Sequence, residues 1–282
     1  MEIKRIGVVG AGTMGAGIAQ VCVGGGCEVI VSEVADEFLE NGLARVRKGI
    51  DKWVEKGIVE AEAADGMRAR LHGSTDLADL YGCDLVIEAI IEDLDAKTQA
   101  FQQLDAGCGE NTILASNTSS ISITRLAAAT NRPDKVVGMH FFNPVPLMKL
   151  VEIVRGEATS DNVHDVIGDL ARKLHKTPVT VADVPGFVSN RLLMPMINEA
   201  VFCLDEGVAT AEDIDTVMHL GMAHPLGPLR LADLIGLDIC LAIMEVLHRG
   251  YGDSKYRPCP LLRRKVDAGQ TGRKVGQGFY SY

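Results

Sequence analysis

The chain has 282 residues and a formal net charge of −10 at pH 7, because 28 Lys and Arg residues stand against 38 Asp and Glu. Apolar residues make up 47% of it and charged residues 23%, which is typical of globular proteins and excludes an intrinsically disordered chain. The acidic balance argues against a nucleic-acid partner, and no apolar run reaches the roughly 18 residues that a membrane-spanning helix needs.

Short apolar runs rich in β-branched residues alternate with amphipathic segments along the first part of the chain. The runs that predict buried strands are residues 6–9, 29–31, 85–87, 112–114, 136–139 and 179–181. Longer segments between them, such as 36–57 and 93–108, have the periodicity of helices. This alternation predicts an α/β domain with a mainly parallel sheet that helices cover on both faces.

The pattern changes at Pro185-Gly186, since Pro and Gly interrupt regular structure. Beyond this point strand-like runs are rare, and helices are predicted over residues 187–206, 210–220, 229–248 and 260–268. We therefore predict two domains, an α/β domain over residues 1–184 and an all-helical domain over residues 185–282.

A glycine motif, Gly10-Ala11-Gly12-Thr13-Met14-Gly15, stands between the first predicted strand and a helical segment. In this position GxGxxG is the dinucleotide-binding fingerprint of a doubly wound Rossmann-type fold, whereas isolated glycines often serve turns alone. Its glycines allow a tight turn, a close approach of the backbone to a pyrophosphate, and close packing of the helix on the strand. The N-terminus of that helix attracts phosphates.

Glu33 ends the next predicted strand, about 20 residues after the glycine motif, where the fingerprint places an acidic residue. A carboxylate there accepts hydrogen bonds from the ribose hydroxyls of the adenosine and repels a 2′-phosphate. Because no Arg follows Glu33 closely, the sequence favours NAD over NADP.

His140 follows the predicted strand 136–139, at the carboxyl edge where open parallel sheets bind their ligands. Glu152 lies in the next strand-like run, and the link Asn143-Pro144-Val145-Pro146 could bring the two side chains together. A His that is oriented by a carboxylate suits general acid–base catalysis, since the ordinary pKa of imidazole is about 6.5. A purely structural His at a strand end is the alternative.

Two polar segments and the seven cysteines also bear on function. Residues 116–120 follow a predicted strand, and residues 188–191 open the first helix of the second domain. Both could face a ligand, or the first could simply cap a helix. Seven Cys without a CxxC pair predict reduced thiols in a cytoplasmic protein, with neither disulfides nor a metal site. The N-terminus shows no signal-peptide pattern.

Taken together, these motifs resemble the L-3-hydroxyacyl-CoA dehydrogenases, most closely the short bacterial 3-hydroxybutyryl-CoA dehydrogenases. The matching segments run from end to end of the chain: 10–20, 115–121, 138–146, 149–153, 185–191, 224–229, 233–238 and 272–280. The resemblance implies an NAD-dependent oxidoreductase that interconverts (S)-3-hydroxybutyryl-CoA and acetoacetyl-CoA, in butyrate or fatty-acid metabolism.

The roles of single residues follow from the resemblance. It implies that His140 is the general acid–base and that Glu152 orients it, while Ser119 and Asn190 hold the thioester and the 3-oxygen of the substrate. The positions that it assigns to NAD are Gly10, Ala11, Gly12, Thr13, Met14, Gly15, Glu33, Glu92, Lys97, Ser119, Asn143 and Lys274.

The acyl-CoA end and the oligomeric state are implied less directly. Arg45, Lys48, Lys52 and Lys56 share one helix face, which either meets the CoA phosphates, with Lys56 the best single candidate, or is simply solvated. The family implies a homodimer formed through the C-terminal helices. An excess of apolar surface there is suggested by Leu234, Ile235, Leu237, Leu241, Ile243 and Met244.

Three alternatives use the same sequence features. A sugar-acid dehydrogenase of the gulonate type would use NAD without a CoA substrate. A non-catalytic NAD-binding protein would need no proton acceptor, so the pair His140 and Glu152 argues against it. A reductase of the β-hydroxyacid or 6-phosphogluconate type would carry a catalytic Lys where this chain has Asn190 and Arg191.

Overall fold

An eight-stranded sheet organises the first part of the chain in this computed structural model, which describes residues 2–282. The strands are β1 (Arg5–Val9), β2 (Glu28–Ser32), β3 (Leu71–Ser74), β4 (Leu85–Glu88), β5 (Ile113–Ser116), β6 (Val136–Phe141), β7 (Leu150–Arg155) and β8 (Thr177–Ala182). Their order across the sheet is β3-β2-β1-β4-β5-β6-β7-β8. All neighbours pair in parallel except β6 and β7, which are antiparallel.

The strand directions decide which residues share an edge of the sheet. Strands β1 to β6 end at one edge, which we call the carboxyl edge. Because β7 runs against β6 and β8 runs with β7, these last two strands begin at the same edge. The loops that follow β1, β2, β4 and β5, the β6–β7 connection and the residues just before β8 therefore all lie along it.

Six helices accompany the sheet and provide much of its core. They are α1 (Thr13–Gly24), α2 (Asp36–Glu55), α3 (Ala61–Ala69), α4 (Leu94–Gly107), α5 (Ile123–Ala127) and α6 (Asp161–Lys173). Helix α1 buries Ile18, Val21 and Cys22 in one core cluster with the side chains of the strands, and α6 adds Val163 and Ile167. No helix among residues 2–282 is long and apolar enough to cross a membrane.

The second unit comprises Val184–Tyr282, and the first ends at Asp183. Its helices are α7 (Ser189–Asp205), α8 (Ala211–Thr216), α9 (Pro228–Ile235), α10 (Leu237–Tyr251) and α11 (Pro260–Asp267). The single helix predicted over residues 229–248 is wrong, because Gly236 has φ +109° and separates α9 from α10. The predicted fold class is otherwise confirmed: a Rossmann-type, mainly parallel sheet followed by a helical domain.

Candidate active site

The glycine motif forms the turn from β1 to α1 at the carboxyl edge. Gly10 has φ +98°, and a methyl group built on it would lie 2.7 Å from the carbonyl oxygen of Ala89. A methyl group on Gly15 would overlap the carbonyl oxygen of Gly10, so the helix packs on the turn with no room for a side chain. A methyl group built on Gly12 would have no atom of residues 2–282 within 4 Å. The backbone at Gly12 therefore faces open space, as close approach to a pyrophosphate requires.

The start of α1 suits an anion for a second reason. No side chain of the described residues caps this helix, and its first turn holds no acidic residue. Its N–H groups and the positive end of its dipole are therefore not already neutralised by the protein. Thr13 is exposed and Met14 half-buried at this end, whereas Ala11 is buried.

Two alanine substitutions should separate the roles of these glycines. Gly12→Ala should leave the thermal midpoint near that of the wild type but weaken NADH binding about tenfold, since its methyl group would occupy the open space only. Gly15→Ala should instead destabilise the fold by about 1–3 kcal/mol through overpacking. Thermal unfolding and an NADH fluorescence titration check both, and a Gly12→Ala variant with wild-type affinity would contradict the assignment.

Glu33 stands beside the glycine motif at the end of β2. Its carboxylate accepts hydrogen bonds from the N–H of Ala11 at 2.8 Å and from the N–H of Val34 at 3.0 Å. A carboxylate has about four lone-pair positions, so two more can accept ribose hydroxyls. Val34 and Phe38 next to it are 87% and 57% exposed, which offers apolar surface for a base. The structure thus places the predicted ribose acceptor within reach of the predicted pyrophosphate turn.

A buried charged cluster underlies the loops after β4 and β5. Lys97 is fully buried, and its ammonium lies 2.5 Å from Glu88 Oε1 and 3.3 Å from Glu92 Oε2. Glu88 also accepts hydrogen bonds from the N–H of Ile90 at 2.8 Å and from Ser116 Oγ at 2.6 Å. Sequence reasoning missed Glu88, because a lone Glu at the end of an apolar strand carries no motif.

Glu92 connects this cluster to Ser119. Its Oε1 atom accepts hydrogen bonds from Thr118 Oγ1 (2.5 Å), the N–H of Ser119 (3.1 Å) and Ser120 Oγ (2.9 Å). Burial alone would raise the pKa of Glu92, but the charge of Lys97 and these hydrogen bonds outweigh it and lower that pKa. Glu92 therefore stays ionised and fixes the loop that carries Ser119. The predicted NAD contacts of Glu92 and Lys97 stay predictions.

His140 and Glu152 form a direct pair on neighbouring strands. The antiparallel register of β6 and β7 sets the two residues opposite each other, where side chains share a face. His140 Nδ1 lies 2.7 Å from Glu152 Oε2, and the two residues are 7% and 2% exposed. With Nδ1–H donating to the carboxylate, the lone pair of the ring is on Nε2. This is the arrangement of an oriented acid–base group, and the Phe142 ring lies 4.6 Å from the imidazole.

Further polar contacts join the ends of β5 and β6. Asn117 Oδ1 accepts the N–H of Phe141 at 2.9 Å, which ties the Ser119 loop to the strand of His140. Asn143 is exposed in the β6–β7 connection. The glycine motif, Glu33, Ser119, Asn143 and His140 thus all lie along one edge of the sheet.

Three further predicted residues lie on other elements of the chain. Lys56 is exposed just after the last residue of α2. Asn190 belongs to the second unit, in the first turn of α7, and is 8% exposed. Lys274 is also in the second unit, where its ammonium contacts both carboxylate oxygens of Asp238, at 2.8 and 2.6 Å.

The apolar residues predicted to form a dimer surface are mostly internal. Leu237, Leu241, Ile243 and Met244 are buried in the core of the second unit, so the expectation that they supply excess surface is wrong. The reason is that α10 packs against both α7 and α11. Leu234 is 56% exposed and Ile235 partly buried.

Comparison with known proteins gives consistent matches over the whole chain. Two family models match, described as the 3-hydroxyacyl-CoA dehydrogenase NAD binding domain over residues 5–184 and the C-terminal domain over residues 186–282. A probable 3-hydroxybutyryl-CoA dehydrogenase of Bacillus subtilis is 56% identical, over 100% of this chain and 98% of the relative. A 3-hydroxybutyryl-CoA dehydrogenase of Clostridioides difficile is 48% identical over 99% of each.

A solved structure agrees with the fold. The crystal structure of (S)-3-hydroxybutyryl-CoA dehydrogenase from Ralstonia eutropha superposes with a TM-score of 0.97 at 50% identity, covering 100% of this chain and 99% of the other.

Proposed function

This chain belongs to the 3-hydroxyacyl-CoA dehydrogenase family, and we propose that it interconverts (S)-3-hydroxybutyryl-CoA and acetoacetyl-CoA. It is an NAD-dependent oxidoreductase. The observation that carries the proposal is the buried pair of His140 and Glu152, joined at 2.7 Å on the sheet edge that also holds the glycine motif. A protein that only bound NAD would have no use for an oriented proton acceptor at this edge.

Bound NAD would supply the acceptor for the hydride of C3 of the hydroxyacyl group, and bound NADH would supply the hydride for the 3-oxo group. The protein handles the accompanying proton. In oxidation His140 Nε2 accepts the proton of the 3-hydroxyl, and Glu152 stabilises the imidazolium that forms. In reduction the imidazolium gives the proton back to the 3-oxygen. The chain's other groups bind and orient.

The residues at the carboxyl edge support the binding of NAD. The open space at Gly12 and the uncapped start of α1 suit the pyrophosphate, and Glu33 suits the adenosine ribose. Asn143 and Ser119 follow the ends of β6 and β5, near His140, and would therefore hold the nicotinamide half of NAD. We assign Asn143 to the nicotinamide half of NAD. We also assign Lys274, which pairs with Asp238, to NAD binding.

Membership of the family supports two groups of substrate contacts. Ser119 and Asn190 would donate hydrogen bonds to the thioester and the 3-oxygen of the acyl group. The exposed face of Arg45, Lys48 and Lys52, continued by Lys56, offers four cations to the phosphates of CoA.

We further propose a homodimer through the second unit and a cytoplasmic location. Exposed apolar side chains on its helices support the dimer, among them Leu192 (69%), Leu220 (75%), Leu234 (56%) and Ile239 (45%). All seven cysteines, each within residues 2–282, are free thiols, which fits a reducing compartment. Sedimentation equilibrium at twice the chain mass supports the dimer, and a monomer mass at micromolar concentration opposes it.

The test of the reaction follows nicotinamide absorbance with acetoacetyl-CoA, in parallel with NADH and NADPH. Rapid loss with NADH and little with NADPH is the expected result, because Glu33 repels a 2′-phosphate. Rapid loss with NADPH would keep the reaction but overturn the role of Glu33. No loss with either, in a folded protein that binds NADH, would overturn the substrate and favour a sugar acid such as gulonate or a non-catalytic role.

A further inference from the structure

Lys176 is a buried cation that the reaction described above does not use. It lies just before β8, at the carboxyl edge, and is 7% exposed. Its ammonium donates to the carbonyl oxygens of Val145 at 2.5 Å and Met148 at 2.7 Å. No carboxylate of residues 2–282 forms an ion pair with it, and burial lowers the pKa of Lys176. The charge of its ammonium is therefore stabilised by hydrogen bonds to backbone carbonyl oxygens.

Both carbonyls belong to the connection from β6 to β7, residues 142–149, which we call the β6–β7 loop. This loop carries Asn143, and it joins the strand of His140 to the strand of Glu152. Inside it, the N–H groups of Leu147 and Met148 both donate to the carbonyl oxygen of Pro144, at 2.9 and 3.0 Å. Lys176 therefore contacts the loop that connects, along the chain, the strand of His140 to the strand of Glu152.

The β6–β7 loop also contacts the first helix of the cofactor fold. Val145 is 2% exposed, and a methyl group built on Gly17 of α1 would lie 2.9 Å from Val145 Cβ. The loop is thus anchored by an apolar contact to α1 and by charged hydrogen bonds to Lys176.

A space-filling role alone does not account for an ammonium at this position. Burying a cation costs desolvation energy that an apolar side chain of similar length would avoid. What the ammonium adds is two charge-assisted hydrogen bonds to carbonyls 31 and 28 residues earlier in the chain. Its contribution is therefore to the position of the β6–β7 loop.

We propose that Lys176 is a positioning residue that fixes the conformation of the β6–β7 loop. By fixing this loop it would place Asn143 so that the nicotinamide half of NAD binds next to His140. The inference rests on the proposed function in one respect, the assignment of Asn143 to the nicotinamide half. The glycine motif and Glu33, which we assign to the pyrophosphate and the adenosine ribose, form no hydrogen bond or ion pair with the side chain of Lys176. We therefore expect Lys176 to influence the nicotinamide half of the cofactor more than the adenosine half.

The experiment compares the binding of NADH with that of ADP-ribose, which lacks the nicotinamide. Lys176→Met keeps most of the length of the side chain and removes its hydrogen-bond donors. We expect its Kd for NADH to rise about tenfold, the effect of losing a charged hydrogen bond, while its Kd for ADP-ribose stays at the wild-type value. Hydrogen exchange of the Leu147 and Met148 amides in the ligand-free protein should become faster.

Lys135 provides the matched control. Its ammonium donates to the carbonyl oxygen of Glu110 at 2.6 Å, but it lies just before β6, at the opposite edge of the sheet. Lys135→Met should change neither Kd nor the exchange of the two amides. A parallel loss of affinity for NADH and ADP-ribose in Lys176→Met would show general destabilisation and overturn the proposal, as would unchanged NADH binding.

If Lys176→Met does not fold, Lys176→Gln retains an uncharged amide group with two N–H donors. A smaller rise in the Kd for NADH with an unchanged Kd for ADP-ribose would then support the proposal, while equal rises would overturn it. None of these measurements uses an acyl-CoA. A wild-type protein that binds NADH but does not reduce acetoacetyl-CoA would contradict the proposed substrate and leave the test of Lys176 intact.

Discussion

Replacing His140 with alanine should lower kcat by about 10²–10⁴-fold, the usual contribution of a positioned acid–base group. We assign the proton of the 3-hydroxyl to the Nε2 atom of the imidazole, since the Nδ1 atom lies 2.7 Å from the carboxylate of Glu152. NADH affinity should stay near the wild-type value, because the glycine motif and Glu33 lie on other strands. Stopped-flow turnover and an NADH fluorescence titration measure the two effects separately.

A second His–carboxylate pair offers the control for this change. His164 Nδ1 lies 3.0 Å from Asp165 Oδ1 on α6, and its other nitrogen contacts Thr180 Oγ1. His164→Ala therefore removes the same ring from the same kind of partner without touching the carboxyl edge, and it should turn over acetoacetyl-CoA at the wild-type rate. Full activity in His140→Ala would remove His140 from its role.

The central strands could be predicted from the sequence because each is an apolar run buried on both faces. Strand β3 was not predicted, and its residues explain why. It is a four-residue edge strand, Leu71-His72-Gly73-Ser74, in which only Leu71 is buried. An edge strand with one covered residue needs no apolar run. The break between α9 and α10 at Gly236 was not predicted either, because the apolar periodicity of the sequence continues across it.

The contact between His140 and Glu152 could also be predicted from the sequence, whereas the buried lysines around it could not. His140 and Glu152 stand out because both are ionisable residues in strand-like runs joined by a short Pro-containing link. Lys97 and Lys176 resemble ordinary surface lysines in the sequence, since lysine is almost never fully buried unless it is paired. Their partners are fixed by the three-dimensional fold: Glu88 sits on a neighbouring element, and the carbonyls that Lys176 binds have no sequence signature at all.

The charge of Glu152 should matter as much as its hydrogen bond. In Glu152→Gln the amide oxygen can still accept the Nδ1–H of His140, so the ring keeps its orientation while the negative charge is lost. We expect kcat for oxidation of 3-hydroxybutyryl-CoA to fall about 10–10³-fold, because a nearby opposite charge commonly stabilises an ion by that factor. The KM for NAD should change little, since the loss falls on the step in which the imidazolium forms.

Asp161→Asn is the control for removing one negative charge. Asp161 pairs with Arg155 at the far end of β7 at 2.7 Å and is exposed, so this change should leave kcat unaltered. Thermal unfolding of both variants tests whether a fall in kcat reflects the chemistry, because Glu152 is 2% exposed and a disturbed core would lower the midpoint. A Glu152→Gln variant with the wild-type midpoint and the wild-type kcat would mean that Glu152 only holds the ring in place. A wild-type midpoint with the expected loss would mean that its carboxylate acts on the charge that develops on His140.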